Sequence, residues 1–294
     1  MNKSLKILVL GSTGMLGHQV VTYLKSFDNI SVIDISRKNR LSPETLIVNI
    51  MESDILKSKI LQIKPDYIIN CIGILVDGSK NIALATYINA YFPHYLKEIC
   101  NKIDSKLVHI STDCVFSGES GEYKEDDFRD GKGIYAQTKI LGEIIDDTNL
   151  TLRTSIIGPE LKENGEGLFD WFVKQESDIK GFVNSIWSGI TTLELAKAIK
   201  WSIDNDINGV YHVTNNCSIS KYEMLKFFKK YTNKEIEIKP YSNKRVDKSF
   251  LDSRKLINYE IPSYERMIEQ MILSIEISDH KYPEHYQFIQ SKRF

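Results

Sequence analysis

The chain has 294 residues, enough for one large or two ordinary domains with a sizeable core, and its hydrophobic content of 42% and charged content of 26% are those of a globular protein in water. A formal net charge of −1 gives no electrostatic basis for binding nucleic acid or an anionic membrane surface. Cys71, Cys100, Cys114 and Cys217 form no C-x-x-C pair and no His/Cys ligand spacing, so no metal site is expected and the thiols read as buried and free.

The apolar run after Met1 is far too short for a signal peptide or a spanning helix, and with reduced thiols it points to the cytoplasm. Leu5 to Leu10 has the pattern of a parallel strand covered on both faces. Gly11, Gly14 and Gly17 follow. The first suits a tight turn off the strand, the second an approach of backbone to a diphosphate, the third close packing of the next helix. The spacing is G-x-x-G-x-x-G and not the usual G-x-G-x-x-G fingerprint, and the same glycines also suit an ordinary turn. Ile30 to Ile35 is a second strand ending in Ser36, Arg37 and Lys38. A ribose 2′ position lies at such a strand tip, where Arg37 suits a 2′-phosphate and Asp34 a bare ribose. Arg37 is otherwise a solvated charge. NADP(H) is favoured over NAD(H).

Thr45 to Ile50 is a short third strand, and Glu52 to Ile63 a helix with Ile55, Leu56, Ile60 and Ile63 on one side, ended by Pro65. Tyr67 to Gly73 is a fourth strand and Asn81 to Lys102 a long helix, in which Asn89 reads as an exposed position. Lys106 to Ile110 is a fifth strand ending in Ser111-Thr112-Asp113. Hydroxyls at the carboxyl end of a parallel strand sit where ligands bind, and they also cap turns. The loop from Gly118 to Gly133, with Glu125, Asp126, Asp127 and Asp130, suits a solvated surface or a mobile cover.

Tyr135 and Lys139 follow, four apart on one helix face. A nearby ammonium favours tyrosinate and lowers the phenol pKa, as a general acid near neutral pH requires. Tyr222 and Lys226 repeat the spacing without the preceding strand and hydroxyls, and read as an ordinary amphipathic helix. Leu150 to Ser155 is a sixth strand. Leu168 to Val173 is apolar and aromatic, and Gly181 to Thr192 is a loop with Asn184, Trp187 and Thr191. Leu193 to Ile203, Lys221 to Tyr231 and Tyr264 to Ile275 are helices, Gly209 to Val213 and Glu235 to Pro240 strands, and Arg245 to Lys255 a polar loop. The tail from Ser278 has no clear period.

The alternation predicts an α/β fold: a doubly wound parallel sheet of Rossmann-like type with a smaller C-terminal α/β region that binds substrate. The dinucleotide-binding part is residues 1–155, with 189–215 returning to it, and the substrate-binding part is 156–188 and 216–294. GSTGMLG, INCIG, STDCVFSGESGEYKEDD, YAQTKILGE, LRTSIIG, GITTLELA and DKSFLDSRK together resemble the dTDP-4-dehydrorhamnose reductase family of the extended short-chain dehydrogenase/reductase superfamily. The resemblance implies an oxidoreductase that reduces the C4 ketone of a nucleotide-linked 4-keto-6-deoxyhexose for polysaccharide biosynthesis. Thr112 would bond the ketone oxygen, Tyr135 would donate the proton, and Lys139 would hold Tyr135 and the nicotinamide ribose. Gly11, Thr13, Gly14, Met15, Leu16, Arg37, Cys71, Ile72 and Gly73 would bind the cofactor, and Asp113, Asn184, Trp187 and Arg245 would lie near the substrate. Trp171 and Trp187 are more often core residues than ligand platforms. The resemblance also implies a homodimer, with no metal ligands readable in the sequence.

Three departures bear on the sugar. Cys114 stands where the family has an aromatic residue, ILVDGSK follows the fourth strand, and the loop before Thr191 lacks a glycine-proline pair. They resemble relatives acting on UDP-linked N-acetylamino-6-deoxy-hexuloses, so the substrate is dTDP- or UDP-linked. Two other classes stay open: a non-catalytic dinucleotide-binding regulatory subunit, and an epimerase or dehydratase of the same superfamily. A dehydratase calls for a carboxylate beside Asp113, where Cys114 stands.

Overall fold

The computed structural model describes residues 4–291. The chain divides into two compact units: one takes the chain up to Phe116, then Phe128–Arg153 and Ala196–Tyr211, and the other takes Ser117–Asp127, Thr154–Leu195 and the chain from His212.

The first unit is built on a seven-stranded sheet. Its strands are β1 (Leu5–Leu10), β2 (Ile30–Ser36), β3 (Leu46–Ile47), β4 (Tyr67–Asn70), β5 (Lys106–Thr112), β6 (Leu150–Thr154) and a last strand over Gly209–His212. Their order is Gly209–His212, β6, β5, β4, β1, β2, β3. β1 runs parallel to β2 and β4, β2 to β3, and β4 to β5. The order reverses between β1 and β4, so the turn after β1 opens at the switch point where doubly wound sheets bind ligands. Leu8, Leu10, Ile68 and Leu107 form a continuous apolar face with Leu56 and Ile60 of α2 (Ser53–Ile63) and with Leu96 and Ile99 from the helix before β5. Ile55 lies off that stripe and is exposed, a correction to the expected row. The third strand is shorter than expected, although Val48 and Ile50 still enter the core.

The helix expected over Asn81 to Lys102 is three pieces. Asn81 caps a short helical turn, Ile82–Ala85, by accepting from the Leu84 amide at 3.1 Å. A π-helical turn, Thr86–Tyr91, leads into a regular helix, Phe92–Ile103. Pro93 is the physical cause: it has no N–H for the carbonyl of Asn89, and the Phe92 amide reaches back five residues to Tyr87.

In the second unit, Ile179–Phe182 pairs parallel with Ile238–Tyr241 and Ile156–Ile157 with Ile190–Thr191. Ser185–Trp187 pairs antiparallel with Ile219–Ser220 and parallel with Val246–Asp247. Two expected loops therefore carry strands of two or three residues, too short to show alternation in sequence. The acidic loop is fastened at its start. Tyr123 donates its amide to the Ser249 carbonyl at 3.1 Å, and buried Glu125 accepts from the amides of His212 at 3.1 Å and Ser253 at 3.2 Å. The tail packs without a period: the Tyr286 hydroxyl donates to buried Asp170 at 3.0 Å.

Among the described residues no helix is long and apolar enough to cross a membrane. The cysteines are free, but only Cys100 is fully buried and Cys217 is exposed, which corrects the expectation of four buried thiols. Burial pushes the Cys71 and Cys100 thiols up to about 12.

Candidate active site

The turn after β1 folds tightly. Gly11 has φ +83°, and a Cβ on Gly17 would stand 2.1 Å from the Gly11 carbonyl oxygen, so the helix Gly17–Lys25 can start only against bare backbone. The glycine between them is open: a Cβ on Gly14 would meet one atom, the Gly11 carbonyl oxygen, at 3.2 Å. The helix begins after Leu16 with no side-chain cap. Thr13 and Met15 are partly exposed, and the buried Ser12 hydroxyl has no partner among the described residues. An uncapped helix start with open backbone before it fits an anionic diphosphate. His18 braces the turn, its Nδ1–H donating to the Gly14 carbonyl at 2.8 Å.

At the end of β2 the two ribose candidates separate. Asp34 is buried inside the strand opposite Val9, 3.8 Å from the Lys25 ammonium. It lies two residues before the strand end, and its buried Oδ2 has no hydrogen-bond partner among the described residues. Arg37 and Lys38 are exposed there. At the end of β4, Asn70 Oδ1 accepts from the Ile72 amide at 3.2 Å. Cys71 and Ile72 are partly exposed, and a Cβ on exposed Gly73 would meet only Asn89 Oδ1, at 3.7 Å.

Asn89 is buried, which corrects the expectation of an exposed position. Its Oδ1 accepts from the Ile74 amide at 2.8 Å, and its Nδ2 donates to the Ile74 carbonyl at 2.9 Å and to Thr138 Oγ1 at 3.4 Å. It ties the segment after Gly73 to α5 (Ile134–Leu141). The polar residue four before a proline is the sequence signal for it.

Thr112 ends β5 and does two things. Its Oγ1 accepts from the Cys114 amide at 3.2 Å, capping the next turn, and donates to Asp113 Oδ1 at 3.0 Å. Its hydroxyl also lies beside the Tyr135 phenol. Tyr135 lies in the first turn of α5, partly exposed. Burial pushes its phenol pKa up, the charges of Cys114 and Asp113 push the same way, and the Thr112 hydroxyl opposes them. Lys139, one turn on, is buried and donates to the Ile110 carbonyl at 2.8 Å. Desolvation brings it down to about 8, against the pull of Glu143. The expected lowering of the phenol by the ammonium is therefore not found. Tyr135 is held as a protonated phenol, which is the form a proton donor needs.

Behind this pair stands a buried ion network that the sequence reading missed. Glu143 accepts from Arg153 Nε at 2.7 Å and Nη2 at 2.8 Å, from Arg129 Nη1 at 2.7 Å and from Ser111 Oγ at 2.6 Å. Its signals were an arginine inside the apolar strand LTLRT and a glutamate directly after a helix-ending glycine.

The other expected site residues lie in the second unit. The Asn184 amide donates to Asn243 Oδ1 at 3.2 Å and its Nδ2 to the Asn243 carbonyl at 2.8 Å, while its own carbonyl accepts from the Val246 amide at 3.0 Å. Arg245, mostly exposed, donates to Asp247 at 2.8 Å. These two residues are thus neighbours. Trp187 is buried against Tyr264, with ring centroids 5.7 Å apart. No group of three or more metal-ligating side chains is present among the described residues.

Residues 5–275 match the family described as RmlD substrate binding domain. The chain is 28% identical over 225 residues to the spore coat polysaccharide biosynthesis protein SpsK of Bacillus subtilis, covering 74% of this chain and 76% of that protein. It is 28% identical over 238 residues to the dTDP-4-dehydrorhamnose reductase of Aggregatibacter actinomycetemcomitans, with 74% and 76% covered. It is 25% identical over 239 residues to methionine adenosyltransferase 2 subunit beta of Xenopus laevis, with 75% and 70% covered. The crystal structure of the Bacillus anthracis dTDP-4-dehydrorhamnose reductase in complex with NADP shares the fold, with a TM-score of 0.80 at 24% identity over 92% of this chain and 99% of that one.

Proposed function

The chain belongs to the RmlD substrate-binding-domain family, within the dTDP-4-dehydrorhamnose reductases of the extended short-chain dehydrogenase/reductase superfamily, and on that premise we propose that it reduces the C4 ketone of a nucleotide-linked 4-keto-6-deoxyhexose with NADPH. The observation that carries the reading is that Thr112 ends β5 beside Tyr135 in the first turn of α5, with buried Lys139 one helical turn away. The name of SpsK supports a place in surface polysaccharide precursor synthesis.

A nicotinamide dinucleotide supplies a hydride to the carbonyl carbon when bound. Gly11, Thr13, Gly14, Met15 and Leu16 would hold its diphosphate, and Cys71, Ile72 and Gly73 would line its path. Tyr135 donates a hydrogen bond to the ketone oxygen, and Thr112 turns its single hydroxyl proton from Asp113 to the same oxygen. As negative charge develops on that oxygen, Tyr135 releases its proton to it, which completes the alcohol. The tyrosinate left behind is stabilised by the Lys139 ammonium one helical turn away. Asn184 and Arg245 would offer polar groups for the sugar nucleotide, and buried Trp187 ends the strand that follows Asn184.

The ammonium requirement sets the pH dependence. Lys139 carries its charge below about 8 and loses it above. kcat/KM therefore falls as pH rises through that value, and a profile flat to about pH 10, where an ordinary lysine titrates, would show that the charge is not needed. Arg37 sets cofactor choice: Arg37→Ser is expected to raise KM for NADPH about tenfold, the scale of one charge-assisted phosphate contact, and to leave KM for NADH unchanged. Equal effects on both cofactors would remove Arg37 from the 2′-phosphate site.

The deciding experiment follows NADPH and NADH oxidation with a dTDP-linked 4-keto-6-deoxyhexose and with a UDP-linked N-acetylamino-6-deoxy-hexulose. Turnover of either supports the reaction class, and the preferred pair names the nucleotide. The methionine adenosyltransferase relative is named as a subunit, and that word supports a second reading of this chain as a regulatory subunit that binds a dinucleotide without catalysis. NADPH binding with no oxidation of either ketosugar would support that reading.

A further inference from the structure

The network around Glu143 lies beside the proton-transfer pair. Glu143 directly follows Gly142, at the end of α5, and accepts from Ser111 Oγ, while Lys139 of the same helix donates to the carbonyl of Ile110. The two bonds land on adjacent residues of β5, just before Thr112. Arg153 grips both carboxylate oxygens of Glu143 from β6, and Arg129 adds a third charged donor. A carboxylate with four donors and no exposure stays ionised, and Arg153, Ser111 and Arg129 all hold it so.

We propose that Glu143 is a positioning residue of the proton-transfer pair: it is a buried counter-charge that keeps Lys139 an ammonium, and with Lys139 it staples α5 to the end of β5 so that Tyr135 meets Thr112. The inference rests on the reading of Tyr135 and Lys139 as that pair. The charged and titratable groups around Lys139 leave this role to Glu143. His109 on β5 is held neutral by its burial and by the Lys139 charge. His94 gives its ring Nε2 to the Leu141 carbonyl at 2.7 Å. Tyr135 is a neutral phenol, and the two arginines are engaged by Glu143 itself.

The test is a titration of Lys139 in the whole protein, read from its 13Cε chemical shift and assigned by loss of the signal in Lys139→Met. Glu143→Gln keeps the size and an acceptor for Ser111 but removes the charge. Its Lys139 midpoint should fall by about one pH unit, the lower end of what a close opposite charge contributes, and Glu143→Asp should restore most of that shift. An unmoved midpoint in a folded Glu143→Gln protein overturns the proposal. If Glu143→Gln fails to fold because Arg153 is left uncompensated, the double variant Glu143→Gln/Arg153→Gln is compared with Arg153→Gln alone, so that the Glu143 charge is the sole difference, and the same criterion applies to that pair. The titration needs no ketosugar, so a shifted midpoint in a protein that reduces none supports the positioning role and counts against the reductase reading alone.

Discussion

Tyr135→Phe is expected to lower kcat/KM for the ketosugar by about 10²–10⁴-fold, the usual contribution of a positioned general acid, while NADPH still binds. The substitution removes one hydroxyl and keeps the ring, so the helix around it has no reason to move. Thr112 remains as a hydrogen-bond donor to the ketone oxygen, which is why some turnover survives. It has no proton to give at neutral pH, because nothing near it lowers the pKa of an alcohol far enough. NADPH oxidation with the preferred ketosugar measures the loss, and a fluorescence titration measures cofactor binding. Activity within a few-fold of the parent protein would mean that the proton comes from another source. Loss of cofactor binding together with activity would mean that Tyr135 is a structural residue of the site.

The sheet was readable because its central strands are buried on both faces and appear as unbroken apolar runs, as in Leu5 to Leu10. The glycine turn was readable because its spacing is local. The pair Tyr135 and Lys139 was separable from Tyr222 and Lys226 only by what precedes each. The second pair lies on the helix Lys221–Thr232, with the Lys226 ammonium 5.5 Å from the Tyr222 ring centroid. What the sequence hid is polar and buried. Asn89 and Glu143 look like surface residues of a helix because the groups that satisfy them are distant in the chain. Asn89 meets Ile74, 15 residues away, and Glu143 meets Ser111, 32 residues away. A polar side chain announces burial only when its partners are known. The second unit was less legible for another reason: its strands are so short that tertiary packing, and not local pattern, decides them.

Gly142→Ala shows how far the reaction depends on a feature outside the reacting atoms. Because Pro93 has no N–H, the Asn89 carbonyl lacks its α-helical donor, and Gly142 packs directly on it. A Cβ on Gly142 would stand 1.8 Å from that oxygen and 2.9 Å from its carbon, both backbone atoms that no rotamer change can move. The end of α5 must then lift away. Gly142 lies between Lys139 and Glu143, so both contacts to Ile110 and Ser111 loosen, and Tyr135 loses its register with Thr112. The expected cost is about 1–3 kcal/mol of stability, the range for overpacking a close-packed site, together with a fall in kcat/KM of at least tenfold. Denaturant unfolding and the ketosugar assay measure the two. Pro93→Ala sharpens the test, since it offers the Asn89 carbonyl an amide and favours a regular helix at the same contact. If the π-helical turn exists to seat Gly142, Pro93→Ala should also reduce kcat/KM even though it replaces proline with a better helix former. Wild-type unfolding and turnover in Gly142→Ala would show that α5 does not need this contact to present Tyr135.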